Sequence, residues 1–253
     1  MATAPRLLRC VMRLTPLITF APLLVLVSAC TSPAPTHRGE TPVAPITPSE
    51  LAQSDVNRMA TLGMRDNLES LLRIADKLYK RNPAEWRKGG AASREAALAQ
   101  LHQAIYNPAP QLELHGKRDI AALSLALDQN FSGDRVAAFM TACADMLITA
   151  HGGKTSVYLI DGLDPQYIYN AARNIETAVW LLATRRNAVG QTLLLADALS
   201  GTERNLSFER EFGKIIGRLD LLAEVATEKY RRAVISYVQN LLGGTFLQFL
   251  PVR

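Results

Sequence analysis

The chain has 253 residues, of which 48% are hydrophobic and 6% aromatic, which excludes a chain disordered throughout and allows one sizeable core. Few aromatic residues combined with abundant alanine and leucine favour helices packed on helices over sheets. The net charge of +5 gives little reason to expect a nucleic-acid partner, because three arginines precede Cys30, and without them 25 basic residues face 23 acidic ones, a net charge of +2.

The first 29 residues have the three-part build of a secretory signal peptide. Arg6, Arg9 and Arg13 form a positively charged start, an apolar run covers residues 14–27, and small residues close the segment. The apolar run is short for a membrane span, which needs about 20 residues. A cleaved leader over residues 1–29 is therefore the prediction, with a retained helical anchor as the alternative.

The end of this leader carries a recognisable junction. The residues Val27-Ser28-Ala29-Cys30 resemble the lipobox of bacterial lipoproteins, in which a branched residue and two small ones precede an invariant cysteine. The resemblance covers about the first thirty residues. It implies that Cys30 receives a diacylglycerol thioether, that the leader is removed, and that the new amino group is acylated, so that several chains give a stable membrane anchor. In Gram-negative lipoproteins an aspartate after the cysteine favours the inner membrane, so Thr31 implies the outer membrane and a periplasm-facing protein.

Residues 30–46 are predicted to be the lipidated cysteine and an extended tether. The segment contains four prolines, shows no apolar period and should extend by about 3 Å per residue. Processing would discard Cys10 and use Cys30, which leaves Cys143 without a partner for an intramolecular disulfide. Cys143 shares a helical face with apolar residues such as Met140 and Leu147, so we expect it in the core and not as a nucleophile.

Residues 47–253 are predicted to form an all-α, single-domain bundle of about six helices. The first helix is expected over residues 48–81, with Thr47 and Glu50 forming a capping box, Pro48 in the first turn and Gly63 as a position for a bend. A short turn carrying Trp86 follows, and its indole is expected to fill a core or a loop corner, with ligand stacking as the alternative. The remaining helices are expected over residues 93–106, 119–129, 134–151, 164–186 and 207–242.

Several local signals fix the ends of these helices. Ser132 is expected to cap the helix over 134–151, and Asp164 followed by proline to open the next one. Gly243-Gly244 is expected to end the last helix, whose core face is expected to run from Phe208 through Tyr237 to Leu241. The first and last helices should lie against each other. Residues 156–160 are the only strand candidate.

The stretch HGGKTS at residues 151–156 invites a catalytic interpretation. A phosphate-binding loop needs a strand before it and a glycine five positions before the glycine of GK, but that position is Ile148 and the preceding segment is helical by its spacing. An esterase would also need a G-x-S-x-G elbow, which the sequence lacks. We therefore expect Gly152 or Gly153 to end a helix in the left-handed conformation, with Lys154 beside the exposed carbonyls.

Other candidate chemistry is scattered. The four histidines show no zinc-binding spacing, so neither a metal nor another cofactor is predicted. Asp145, Glu176 and His151 are the first suspects for a hydrolase site, because distant carboxylates can meet in a cleft. The alternative is that the two acids lie on the solvated faces of their helices.

Two further patterns concern contacts between surfaces. Asn170, Arg173, Asn174 and Thr177 align along one side of a helix, either as a buried polar network or as a partner-binding face. Gly213 and Gly217 also share one side, where another backbone could approach closely, and tight packing inside the domain is expected. Six basic residues around the end of the first helix could contact anionic envelope polymers, although their acidic neighbours indicate a solvated face; they are Arg73, Lys77, Lys80, Arg81, Arg87 and Lys88.

These patterns together predict a non-enzymatic, lipid-anchored helical module facing the periplasm that docks on an envelope protein or a cell-wall component. A hydrolase of envelope lipids or glycans is the first alternative. A carrier of an apolar ligand is the second, and it would contain an interior cavity.

Overall fold

Seven α-helices make up most of the chain that the computed structural model describes, which comprises residues 47–107, 114–199 and 204–247. The all-α prediction is confirmed, with one helix more than expected over these ranges. A 3-10 helix (Pro48–Ala52) precedes the α-helices, and the two-residue strands β1 (Ala198–Leu199) and β2 (Arg204–Asn205) pair antiparallel. The helices are α1 (Asp55–Arg81), α2 (Pro83–Lys88), α3 (Arg94–Tyr106), α4 (Asp119–Ala126), α5 (Arg135–Ala150), α6 (Pro165–Thr184) and α7 (Ser207–Leu247).

Side-chain caps set the beginnings of most helices. The Ser93 hydroxyl accepts a hydrogen bond from the Ala96 amide at 3.1 Å and starts α3, and Asp164 accepts from the Gln166 amide at 2.8 Å and starts α6. Both caps satisfy amides that have no partner within the first helical turn. The predicted start of α6 is therefore confirmed, and that of α3 is correct to within one residue.

One predicted helix start and one predicted cap are wrong. The segment beginning at Pro48 forms only a 3-10 turn, and α1 begins after Ser54, whose hydroxyl accepts from the Asn57 amide at 3.3 Å. Helix α5 is capped by Asp134 and not by Ser132, because the Asp134 carboxylate accepts the Val136 and Ala137 amides at 2.9 and 3.0 Å. In each case two residues can cap the helix, Thr47 or Ser54 for α1 and Ser132 or Asp134 for α5. The sequence alone does not show which of the two acts as the cap.

Helix α5 lies in the middle of the core. Its buried residues include Phe139, Met140, Cys143 and Leu147, and the helix packs against α1, α3, α4 and α6. Cys143 is fully enclosed, as expected, and burial raises the pKa of its thiol far above the ordinary range. The thiolate that a nucleophile requires is therefore suppressed at this position.

Helix α7 runs antiparallel to both α1 and α6. Against α1, Arg73 Nε lies 3.1 Å from Glu211 Oε2 and the Lys77 ammonium donates to the Ser207 carbonyl at 3.2 Å. The predicted pairing of the first and last long helices is confirmed. Contacts with α6 extend from the Arg173–Asp220 ion pair to the Tyr230 hydroxyl, which donates to the Leu163 carbonyl at 3.2 Å.

The inward face of α7 ends sooner than its sequence pattern predicts. Phe208, Phe212 and Ala226 are buried, but Tyr237 and its neighbours beyond Tyr230 are exposed. The helix also continues past Gly243-Gly244 to Leu247, so the predicted stop is wrong. A glycine costs a helix about 1 kcal/mol relative to alanine, which weakens a helix without ending it.

The segment 151–163 is a loop, so the strand candidate at residues 156–160 does not form a strand. Gly152 and Gly153 adopt φ of 72° and 78° at the end of α5, and the Gly153 amide donates to the Ile148 carbonyl at 2.9 Å, as the left-handed ending predicts. Lys154 pairs with the Asp161 carboxylate instead of the helix carbonyls. None of the described helices combines the length and apolar character that a membrane span needs.

Candidate functional site

An open groove of about 910 Å³ runs between α6 and α7. Its position follows from the local sequence: Asp164 and Pro165 start α6 at one end of the groove, and residues spaced by three and four along α6 then point to the same side. One wall carries Gln166, Tyr169 and Arg173 of α6. The other wall carries Asp220, Glu224, Thr227 and Glu228 of α7.

Arg173 is the centre of this groove. Its Nη2 lies 2.8 and 2.9 Å from the two carboxylate oxygens of Asp220 and 3.1 Å from Glu176, and its guanidinium lies 4.9 Å from the centre of the Tyr169 ring. Burial opposes the charge of Arg173, but Asp220 and Glu176 outweigh it and hold its pKa above the ordinary value. Arg173 and Asp220 are both partly exposed, so their ion pair should contribute little to the stability of the fold. We expect its main effect to be the link between the two walls of the groove.

The four aligned polar residues of α6 do not act as one network. Asn170 is exposed and accepts from Gln166 at 2.8 Å, and the Thr177 hydroxyl donates back to the Arg173 carbonyl at 3.0 Å. Asn174 is half-buried. Of the three whose polar contacts the structure defines, only Arg173 reaches another helix. The structure therefore brings Arg173 into a site with Asp220 and leaves the others as part of the outer face of α6.

The walls of the groove carry a negative balance. The charged residues lining it are Arg173, Asp220, Glu224 and Glu228, a net charge of −2. Glu228 is paired with Arg231 on its own helix, and this hydrogen bond lowers its pKa. A negative, partly open groove of this kind favours positively charged partner groups through their electrostatic potential.

An exposed tryptophan lies on the same side of α6 and α7, beyond the residues that line the groove. Trp180 lies two turns after Arg173, and Gly213 lies two turns before Asp220 on the antiparallel helix, so the two are at the same level. Trp180 is 61% exposed, and a Cβ added at Gly213 or Gly217 would have no neighbour within 4 Å. The expectation that these glycines mediate tight packing inside the domain is wrong, since they form a smooth outer surface.

The three suspected catalytic residues occupy separate environments. Asp145 lies 2.6 Å from Arg118 at the surface, and Glu176 pairs with Arg173 on the outer side of α6. His151 is buried, its Nδ1 bonds the Leu147 carbonyl at 2.8 Å, and burial lowers its pKa. The groove between α6 and α7 is not lined by any of the three. The hydrolase hypothesis required these side chains to converge, and in the described chain they do not.

The described residues give no support to a metal site or to an enclosed apolar-ligand site. Within residues 47–107, 114–199 and 204–247, no group of three or more His, Cys, Asp and Glu side chains could hold a metal ion. A second cleft of about 430 Å³ lies between α1 and α7, with Met59, Leu62 and Leu222 among its lining residues. Both clefts are open at the surface, whereas the carrier hypothesis calls for an interior cavity, so they give it no support.

The basic cluster at the end of α1 is partly neutralised. Arg73 pairs with Glu69 and Glu211, Lys80 lies 2.5 Å from Asp76, and Lys88 lies 2.6 Å from Glu85. The expectation of a solvated face with helical ion pairs is confirmed. These pairs leave less free positive charge for an anionic polymer than the sequence count indicates.

Sequence reasoning missed Tyr169, Trp180 and Asp220 as parts of the site. The signal available was the seven-residue spacing from Arg173 to Trp180, which places both on one face of α6. No local pattern connects Arg173 with Asp220, which lies 47 positions later.

Comparison of the chain with protein-family models, curated proteins and solved structures finds no match.

Proposed function

We propose that this protein is a lipid-anchored helical module of the cell envelope, facing the periplasm, that holds a partner in the groove between α6 and α7. The partner is an envelope protein or a cell-wall component. The lipobox resemblance at Cys30 supports the anchor, and its residue Thr31 supports the outer membrane. These residues lie outside the described part of the chain.

The observation that carries the docking role is the exposed row Tyr169, Arg173 and Trp180 on α6. Tryptophan, tyrosine and arginine are the residues most enriched at the energetic centres of protein interfaces. All three are on one helical face. Carboxylates of α7 line the opposite wall of the groove, and beyond the groove α7 carries the exposed Gly213 and Gly217, which allow close approach. The groove and the adjoining surface at Trp180 thus offer aromatic contact area and charge selectivity together.

Site-specific photo-crosslinking in intact cells tests this role. A photoreactive side chain at position 180 should capture one reproducible partner, whereas the same group at Gln103, an exposed position on α3, should not. With the partner identified, Trp180→Ala should weaken its binding about tenfold or more, as expected for a central interface tryptophan. The substitution should leave folding intact because the indole is mostly exposed.

A matched control is Val189→Ala, which removes another exposed apolar side chain outside the groove. Its affinity for the partner should equal that of the unmodified protein. Equal capture at positions 180 and 103, or equal losses for Trp180→Ala and Val189→Ala, would refute docking on the surface formed by the groove and Trp180.

A further inference from the structure

Bare apolar side chains gather at one end of the domain. Leu51 is 84% exposed and Ile160 is 95% exposed, and Leu159 beside it is also exposed. The two segments are joined, because the Leu159 amide donates to the Ala52 carbonyl at 2.8 Å. Exposed apolar side chains are common singly, but a group from separate segments marks an interaction surface.

The loop that presents Ile160 is held firmly in place. Its Val157 carbonyl accepts from Gln53 at 2.8 Å, its Val157 amide donates to Thr61 at 3.0 Å, and its Tyr158 carbonyl accepts from Asn57. The Asp161 carboxylate accepts the Tyr158 amide at 2.8 Å and pairs with Lys154. The polar groups of the loop are thus satisfied by the protein, while Leu159 and Ile160 are turned outward.

Helix α7 leaves the bundle at this same end. The Tyr230 hydroxyl contacts the Leu163 carbonyl, three residues from Ile160. Beyond it, Val234, Tyr237 and Val238 share one helical face, and all three are exposed, Val234 by 67%. The opposite face carries polar residues, including Ser236 and Gln239. The projecting half of α7 is therefore amphipathic, and it begins next to the segment that follows the Leu159–Ile160 loop.

The charged residues that follow Glu228 on α7 are all basic. No acidic residue follows Glu228, whereas Lys229, Arg231 and Arg232 are basic, and the sequence from residue 233 to residue 252 has no charged residue. An apolar helical face bordered by basic residues is the composition of helices that lie in the interface of an anionic bilayer.

We propose that this end of the domain, formed by Leu51, Leu159, Ile160 and the α7 face of Val234 and Tyr237, docks on an anionic phospholipid bilayer. The apolar side chains enter the boundary between headgroups and acyl chains, and the basic residues after Glu228 contact lipid phosphates. This contact is separate from acylation at Cys30. It would orient the domain on the membrane.

A second copy of the chain is the other occupant to consider. Parallel pairing of two α7 segments would bring Lys229 and Arg232 of one copy close to the same residues of the other. Arg231 is paired with Glu228 on its own helix, and no acidic residue follows Glu228 to balance the other two. Like charges flanking a helix seam oppose pairing. A bilayer containing anionic headgroups instead supplies the complementary charge.

Vesicle flotation tests the proposal. The chain from Pro48 to Arg253 is suitable because every buried core residue of the described chain lies between Asn57 and Ala226, and because it lacks Cys30. We expect it to float with vesicles of phosphatidylethanolamine and phosphatidylglycerol, and much less with phosphatidylcholine alone. The double variant Ile160→Asp, Val234→Asp should bind at least about tenfold more weakly.

Val189→Asp is the matched control, because Val189 is 77% exposed and follows α6 at the end opposite Leu163. It should bind vesicles like the unmodified chain, and circular dichroism should show unchanged helix content in all variants. Absence of vesicle binding, or equal losses for the control and the double variant, would overturn the proposal. A dimer in sedimentation experiments that Val234→Asp dissociates, without vesicle binding, would assign the surface to a second copy and overturn it too.

Discussion

Asp134→Ala lowers the free energy of unfolding by about 3 kcal/mol, because two losses coincide. The Asp134 carboxylate caps α5 by accepting the Val136 and Ala137 amides, and its second oxygen accepts the Tyr79 hydroxyl at 2.7 Å in the buried core. Alanine removes the cap and one buried hydrogen bond, the one from the Tyr79 hydroxyl. Urea denaturation followed by circular dichroism measures the change.

Asp134→Asn is the control for this prediction. Asparagine caps helices about as well as aspartate, and its side-chain amide can donate to the Tyr79 oxygen, so we expect a loss within about 1 kcal/mol.

Burial raises the pKa of Asp134 above its ordinary value. Folding therefore strengthens proton binding at Asp134. The stability that this proton binding adds at acidic pH is lost as the pH rises through the raised pKa. The difference in stability between wild type and Asp134→Asn should vary with pH in this acidic range, and equal costs for alanine and asparagine would contradict the assignment.

Phe212→Ala lowers the free energy of unfolding by about 4 kcal/mol. Phe212 is completely buried where α7 packs on the core, and removing a buried phenylalanine ring costs both its transfer free energy and the cavity left behind. Since α7 forms one wall of both surface clefts, the same substitution should also loosen them. Chemical denaturation gives the free energy, and hydrogen exchange should show lower protection along α7.

Leu221→Ala on the same helix provides the comparison. Leu221 is exposed, so its truncation should change stability by no more than about 0.5 kcal/mol. A loss for Phe212→Ala as small as that for Leu221→Ala would mean that α7 does not dock on the core as described.

Most of the helical architecture follows from local sequence, because caps and apolar periods act over a few residues. Asp164-Pro165 and Ser93 mark helix starts, and the face shared by Met140, Cys143 and Leu147 is buried as its spacing predicts. Where two capping residues compete, as with Thr47 and Ser54, the outcome depends on tertiary contacts that sequence does not display. The 3-10 turn at Pro48–Ala52 is followed by hydrogen bonds to a loop more than a hundred residues away.

The candidate site was less predictable than the fold. Spacing identified the side of α6 that carries Arg173, but not its partner Asp220, because long-range pairing depends on how α7 lies against α6. The two glycines of α7 illustrate the same limit. Their spacing showed that Gly213 and Gly217 share a side, yet whether that side meets another helix or solvent is decided by the whole bundle.

Metabolic labelling of intact cells with a fatty-acid analogue tests the proposed acylation of Cys30. The wild-type protein should carry the label and sediment with membranes, Cys30→Ser should carry none, and Cys143→Ala should be labelled like wild type, since Cys143 is buried in the core. An unlabelled wild-type protein, or equal labelling of the Cys30→Ser variant, would show that Cys30 is not the acylated residue.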